Sequence, residues 1–296
     1  MKLKLLIIGG SGLVGSTLIE YALSDYQIHT TYNKNSIQNM DVESTQIELL
    51  NDKTKIIDLI KSFGPDIVVH TAAHSSVDLC EINHEIADKL HIDVTQDIAD
   101  ICAKLNSKLI YISTDAVFAG QLNKKYTEED QPNPINYYGN TKLEAEKIVL
   151  GTNTKNVVLR TSVIYGWHKK SRFTNWILET IKNKKVVDPF IDQYNTPTLV
   201  DDFAKSILLI ITNDVSGLFH ATGKTCINRY EFAVKLANSF SYNKDLIKPV
   251  TSIEKKQDAP RPVSTCLDSS KFEQEINYEF LDISNGISFI LKKSKE

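Results

Sequence analysis

The chain lacks most of what would place it in a membrane, on a nucleic acid or in a stapled extracellular scaffold. None of its 296 residues belongs to an apolar run approaching the roughly 20 positions needed to cross a bilayer, so no membrane partner is expected. Basic residues are not in excess, with 34 Lys and Arg against 37 Asp and Glu and a formal net charge of -3. That leaves no electrostatic footprint for nucleic acid. The four cysteines, Cys80, Cys102, Cys226 and Cys266, show no close pairing. Reduced thiols packed as small apolar side chains are therefore expected. The amino-terminal run Lys2 to Ile8 has two lysines and an apolar core, like a secretory leader. It is short, however, glycines break it, and no small-residue cleavage site follows. A cytoplasmic protein is expected. His70 and His74 stand four apart with His84 and His91 beyond, yet residues 67–70 read as a strand entering a loop rather than the helix face a ligand pair would need. No metal site is expected, and no internal repeat or low-complexity segment is visible.

What is present is an alternation of two periodicities. Strand patterns at 4–9, 28–32, 67–71, 109–113 and 157–161 are separated by helical patterns such as 53–63, 84–105 and 137–150. That order predicts an α/β fold, a Rossmann-like doubly wound parallel sheet with right-handed crossovers. From about Gly166 the alternation weakens and prolines 189, 197, 260 and 262 punctuate shorter elements. The expected organisation is a dinucleotide-type domain over 1–165, to which the chain returns with a helix at 201–211 and a strand near 218–220. Residues 166–296 then form a smaller, discontinuous carboxyl-terminal substrate lobe.

The first strand runs into Gly9-Gly10-Ser11-Gly12-Leu13-Val14-Gly15 and then a helical pattern. Between a strand and a helix, Gly9, Gly12 and Gly15 have separate tasks: the tight turn, approach of a diphosphate to backbone N–H groups, and close helix packing. Leu13 and Val14 open the helix, whose N-terminus favours phosphate. A nucleotide site is expected here. Ligands of such sheets lie beyond the carboxyl ends of the strands, where Thr71, Ala72, Ala73, Thr114 and Tyr138 would also fall.

Tyr138 and Lys142 form a Tyr-x-x-x-Lys step on one face of the 137–150 helix, with Thr114 upstream. A phenol of ordinary pKa near ~10 is a poor acid at neutral pH, and lowering it by ~3 units takes about 4 kcal/mol, part of which a neighbouring ammonium can supply. Tyr165 and Lys169 share the spacing, but Gly166 and Trp167 lie between them in a stretch without helical periodicity.

Together these residues resemble the dTDP-4-dehydrorhamnose reductase family of the extended short-chain dehydrogenase/reductases. The matching stretches are 113–120, 138–143, 160–166, 192–198 and 261–267, in the family's order across nearly the whole length. The resemblance implies Thr114, Tyr138 and Lys142 as a catalytic triad for NADPH-dependent reduction of a nucleotide-linked 4-keto-6-deoxysugar. It assigns Tyr165 and Lys169 to a loop. It further implies cofactor contacts from Tyr138, Lys142 and the loop 71–73, and substrate contacts from Asp115, Ala116, Val163 and Arg261, the last on a diphosphate. A homodimer is an open alternative, since many relatives form dimers. Some relatives use magnesium, but Glu128, Glu129 and Asp130 read as a solvated turn before Pro132 and Pro134.

The end of the second strand speaks to cofactor choice. Thr30-Thr31-Tyr32-Asn33-Lys34 offers no carboxylate to grip two ribose hydroxyls and one cation, so Asn33 and Lys34 predict NADP(H) over NAD(H). Four positions depart from the family: Ala116 replaces a tyrosine, Ala119 an aspartate, Val163 a tryptophan and His91 an asparagine. Two lost aromatic rings remove contact worth on the order of 1 kcal/mol or more each. The alternatives are therefore another nucleotide-sugar reductase or epimerase, or a non-catalytic regulatory subunit like that of methionine adenosyltransferase. A dehydratase is disfavoured because Asp115-Ala116 lacks a second acid.

Overall fold

Apolar runs such as 5–8 and 67–69 suit strands buried on both faces, and the computed structural model, which describes residues 2–37 and 42–296, builds the centre of a parallel sheet from them. The first half runs β1 (Lys4–Ile8), α1 (Leu13–Ala22), β2 (Gln27–Tyr32), β3 (Glu43–Gln46), α2 (Lys53–Phe63), β4 (Ile67–His70), α3 (Val77–Ile82), α4 (His84–Asp88), a π turn (Lys89–Asp93), α5 (Val94–Leu105) and β5 (Lys108–Thr114). It continues with a 3-10 turn (Asp115–Val117), α6 (Tyr137–Thr152), β6 (Val157–Thr161), β7 (Ile164–Tyr165), α7 (Arg172–Lys182), β8 (Tyr194–Asn195), β9 (Thr198–Leu199) and α8 (Val200–Thr212). β10 (Gly217–His220), β11 (Ile227–Asn228), α9 (Arg229–Ser239), a second 3-10 turn (Lys244–Leu246), α10 (Ser270–Ile276) and α11 (Ile283–Lys293) complete the order.

Among the described residues the main sheet has seven strands in the order β10-β6-β5-β4-β1-β2-β3, all pairs parallel. Because successive strand residues point to opposite faces, Leu5 and Ile7 enter one core with α1, α8 and α10, while Leu6 and Ile8 enter another with α2, α5 and α6. A third apolar cluster joins Tyr165, Ile177, Phe232 and Ile287, from β7, α7, α9 and α11. After α8 the chain re-enters the sheet as β10, which pairs with β6.

Four details differ from the sequence reading. β3, Glu-Ser-Thr-Gln, is a mostly exposed edge strand with no apolar alternation to reveal it. The expected helix over 84–105 is broken by the π turn at Lys89–Asp93, which turns His91 inward to 1 % exposure. Cys226 and Cys266 are not reduced thiols but a disulfide with Cα atoms 5.5 Å apart and a sequence separation of 40. The cause is β8, whose Tyr194 pairs with Asn228 on one side and with Ser264 on the other, drawing the two cysteine segments together. Cys80 and Cys102 do remain free and buried. Finally, Glu128 is not simply solvated, because its Oε1 accepts the His220 backbone N–H at 2.7 Å and so caps β10.

Candidate active site

The carboxyl ends of β1, β4, β5 and β6 open onto a cleft of about 620 Å³. Its lining includes Gly12, Leu13, Val14, Thr71 and Ala73 at one end and Arg229 and Arg261 at the other, with Thr114, Tyr138 and Lys142 between them. The glycine loop is held shut from below. Gly9 N–H donates to Thr31 Oγ1 at 3.1 Å, and the Thr71 hydroxyl donates to Ile8 O at 2.8 Å. A side chain at Gly15 would strike the Gly9 carbonyl oxygen and come within 2.7 Å of Gly10 Cα, so only hydrogen fits where α1 leaves the loop. Such a cradle, with main chain facing the cleft and a helix N-terminus behind it, fits the diphosphate of a dinucleotide. Gly9, Gly15 and Ala72 stand behind the lining, and Asn33 and Lys34 lie outside it at the end of β2.

α6 begins at the mouth of the cleft. The Asn136 side chain caps it by accepting from Gly139 N–H at 2.8 Å. Gly139 packs against the Ala116 carbonyl so closely that a Cβ could not be added, which seats the first turn of α6 on the Asp115–Val117 turn. Thr114 and Tyr138 are thereby brought together. Burial raises the Tyr138 phenol above its ordinary pKa, the Thr114 hydroxyl opposing the shift. The phenol thus stays protonated at neutral pH, the form a proton donor needs.

The lowering of that pKa by Lys142, expected from the sequence, is not provided by the protein alone. Lys142 Nζ donates instead to the Tyr111 hydroxyl and to Ile112 O, both at 2.6 Å. With 2 % exposure its own pKa is pushed down to about 7, chiefly by burial. His91, at the family's asparagine position, is wired into the same turn. His74 N–H donates to its Nε2 at 3.1 Å, and its Nδ1 lies 2.8 Å from Thr141 Oγ1, which donates to Tyr138 O at 3.0 Å. That pattern places the imidazole proton on Nδ1. Burial lowers the His91 pKa to about 3, so the ring is a neutral brace for the Tyr138 turn.

The residues assigned to substrate differ in their surroundings. Asp115 Oδ1 accepts from Thr114, and Oδ2 accepts from Ser162, Asn195 and Thr265. Its carboxylate therefore knots β5, the β6 end, β8 and the segment before α10 together at the cleft floor. Ala116 and Val163 both line the cleft, and Val163 is held at φ 39°, a left-handed backbone that a β-branched residue rarely adopts. Arg261 pairs with Asp78 at 2.8 Å and donates to Ala259 O at 3.0 Å, at the edge of the cleft. Of the second Tyr-x-x-x-Lys step, Tyr165 is buried in β7 against Gly286, while Lys169 is exposed in the following loop.

Sequence reasoning missed Arg229, whose Nε is buried without a hydrogen-bond partner among the described residues while its side chain borders the cleft beside Arg261. No local pattern marks it, since it is simply the first residue of α9. It missed Tyr111 for the same reason, as an aromatic in an apolar strand reads as core.

Among the described residues no helix is long and apolar enough to cross a membrane. Residues 2–295 match the family model described as the RmlD substrate binding domain. Over 97 % of its length the chain is 28 % identical to a dTDP-4-dehydrorhamnose reductase of Aggregatibacter actinomycetemcomitans, covering 98 % of that protein. It is 33 % identical to the mouse (Mus musculus) methionine adenosyltransferase 2 subunit beta, over 91 % of this chain and 81 % of that one. The crystal structure of a hypothetical dTDP-4-dehydrorhamnose reductase from Sulfolobus tokodaii superposes with a TM-score of 0.85 at 31 % identity, covering 96 % of this chain and 99 % of that one. The chain belongs to the RmlD substrate binding domain family and, with it, to the extended short-chain dehydrogenase/reductases, NAD(P)-dependent oxidoreductases built on this sheet.

Proposed function

We propose that the protein reduces the 4-keto group of a nucleotide-linked 4-keto-6-deoxysugar with NADPH, dTDP-4-dehydrorhamnose being the substrate of first choice. The observation that carries this reading is the convergence of Thr114, Tyr138 and Lys142 on one cleft, between a diphosphate cradle and two arginines. A bound dihydronicotinamide supplies the hydride for the carbonyl carbon. The Tyr138 phenol gives its proton to the carbonyl oxygen, so that ketone, hydride and proton make the alcohol. Thr114 Oγ1 hydrogen-bonds the same oxygen, and Lys142 holds ribose hydroxyls and stabilises the phenolate left on Tyr138. Arg229 and Arg261 take the substrate's diphosphate, for which a guanidinium fork is suited. Asp115 keeps the lobes in register around the sugar, and Ala116 and Val163 leave it more room than aromatic rings would. Asn33 and Lys34, with no carboxylate beside them, favour the 2′-phosphate of NADP(H).

Incubation with NADPH and dTDP-4-dehydrorhamnose tests the reading. NADPH oxidation with formation of dTDP-L-rhamnose, lost in Tyr138→Phe while cofactor binding persists, is the expected result. Full activity in Tyr138→Phe would remove the phenol from the mechanism. Binding of NADPH without turnover of any nucleotide-linked keto-sugar would transfer the case to a regulatory subunit, the role named for the mouse relative. Clearly tighter binding of NADH than NADPH would overturn the cofactor assignment.

A further inference from the structure

A lysine ammonium sealed from water needs acceptors for its three N–H groups and commonly finds a carboxylate. Lys142 has none. The carboxylate nearest on its own helix, Glu146, is committed to Arg160 and Ser113. Elsewhere around the ammonium stand His70 on β4, Cys80 on α3, His91 on the π turn, and Tyr111 and Tyr138. The imidazoles are kept neutral by burial, with pKa values lowered to about 3, and the Cys80 thiol is raised to about 11. The phenols of Tyr111 and Tyr138 are both raised by burial, so neither is an anion at neutral pH.

What holds the charge is therefore neutral. Along β5, Ile110 and Ile112 face the α1 side, while Leu109 and Tyr111 face the side covered by α6. Tyr111, at 1 % exposure, thus lies between the sheet and the catalytic helix. Its hydroxyl accepts from Lys142 Nζ at 2.6 Å, and Nζ also stands 3.9 Å from the centre of its ring. The Ile112 carbonyl takes a second N–H at 2.6 Å. The third has no hydrogen-bond partner among the described residues, and Lys142 borders the cleft.

We propose that Tyr111 is a positioning residue for the reaction, its hydroxyl and ring face together holding Lys142 as an ammonium aimed into the cleft in the place where a carboxylate would otherwise serve. The proposal rests on the reductase reading for its functional consequence. Burial leaves the ammonium only marginally favoured at neutral pH. One lost acceptor then changes its protonation, whereas an ordinary surface lysine would not respond.

The test is the pH profile of NADPH-dependent turnover in the full chain, with Tyr111→Phe and Tyr111→His beside the wild type. A hydrogen bond to a charged group is strong enough that its loss in Tyr111→Phe should move the alkaline limb of kcat toward acid by about one pH unit or more. The plateau below the limb should stay within about threefold of wild type, and NADPH affinity at pH 6 should be kept. Tyr111→His retains a ring and an acceptor nitrogen and should return the limb toward wild type. A lowered plateau with an unmoved limb would make Tyr111 a packing residue and overturn the proposal, and so would failure of Tyr111→Phe to fold. If the wild type turns over no keto-sugar, the reductase reading fails by itself. The same limb is then read in NADPH affinity against pH, where an unshifted profile in Tyr111→Phe sinks the inference separately.

Discussion

Removal of the Glu146 carboxylate should be among the most damaging single changes outside the triad. Glu146 and Arg160 are both 3 % exposed in their side chains. Arg160 Nε lies 2.9 and 3.2 Å from the two carboxylate oxygens, and Nη2 lies 2.7 Å from Oε2. Ser113, next to Thr114, donates to Oε1 as well. In Glu146→Ala the guanidinium keeps, among the described residues, only the His220 imidazole at 3.5 Å and the Phe118 ring at 5.2 Å. An uncompensated buried charge costs about 3–5 kcal/mol, a large part of the about 5–15 kcal/mol that holds a typical protein folded. The double replacement Glu146→Leu with Arg160→Met removes both charges and should recover most of the loss, because a buried pair is worth little against well-packed apolar side chains. Urea unfolding of Glu146→Leu, Arg160→Met and the double variant supplies the cycle, with Glu146→Ala measured beside them. A single-variant loss below about 1 kcal/mol, or a double variant as unstable as the two losses added, would refute the reasoning.

Three further outcomes follow from the same structure. Cys226→Ser should lower stability by about 4 kcal/mol under oxidising conditions, the loop-closure value for a separation of 40 residues, with no difference from wild type once a dithiol is added; equal stabilities without dithiol would show the disulfide absent in solution. His70, His91 and His220 have pKa values depressed by burial to about 3 from 6.5, so their neutral forms favour the fold above pH 6.5, and that contribution is lost as pH falls from 6.5 toward 3. Each imidazole adds a slope of about 1.4 kcal/mol per pH unit, roughly 4 in all near pH 5. His70→Leu should flatten the urea midpoint against pH by about a third, and an unchanged slope would contradict the assignment. Gly15→Ala should weaken NADPH binding at least about tenfold while the core of the sheet stays folded, as read by fluorescence titration and circular dichroism, because the added methyl strikes the Gly9 carbonyl and spreads the cradle. Wild-type affinity in that variant would show that the loop is not the diphosphate site.

Much of the architecture was legible because it is written in short-range periodicity. Buried strands such as β1 are continuous apolar runs from Leu5 to Ile8, α2 begins and ends at the residues its pattern names, and the glycine spacing reports a local turn. β3 escaped because an exposed edge strand has no core face to reveal itself. The paired cysteines escaped because their encounter depends on Tyr194 of β8 pairing on both sides, a relation between segments far apart in the chain. The resemblance gave Asp115 as a substrate contact, and it does line the cleft, but the structural knot it ties was not legible in the chain. In space its oxygens are taken by Thr114, Ser162, Asn195 and Thr265.

The sequence by itself therefore determined the central strands of the sheet and the glycine turn that opens α1, since each rests on spacing within one element or at one strand end, and with the resemblance it named Tyr138, Lys142 and Thr114 as the candidate acid, lysine and hydroxyl. Only the tertiary structure decided the electrostatic state of that lysine. Tyr111 and Lys142 are 31 residues apart and meet because β5 and α6 pack face to face. The burial that brings them together also lowers the lysine's pKa and raises the phenols', for a charge is favoured or disfavoured by everything around it in space and not by its neighbours in the chain.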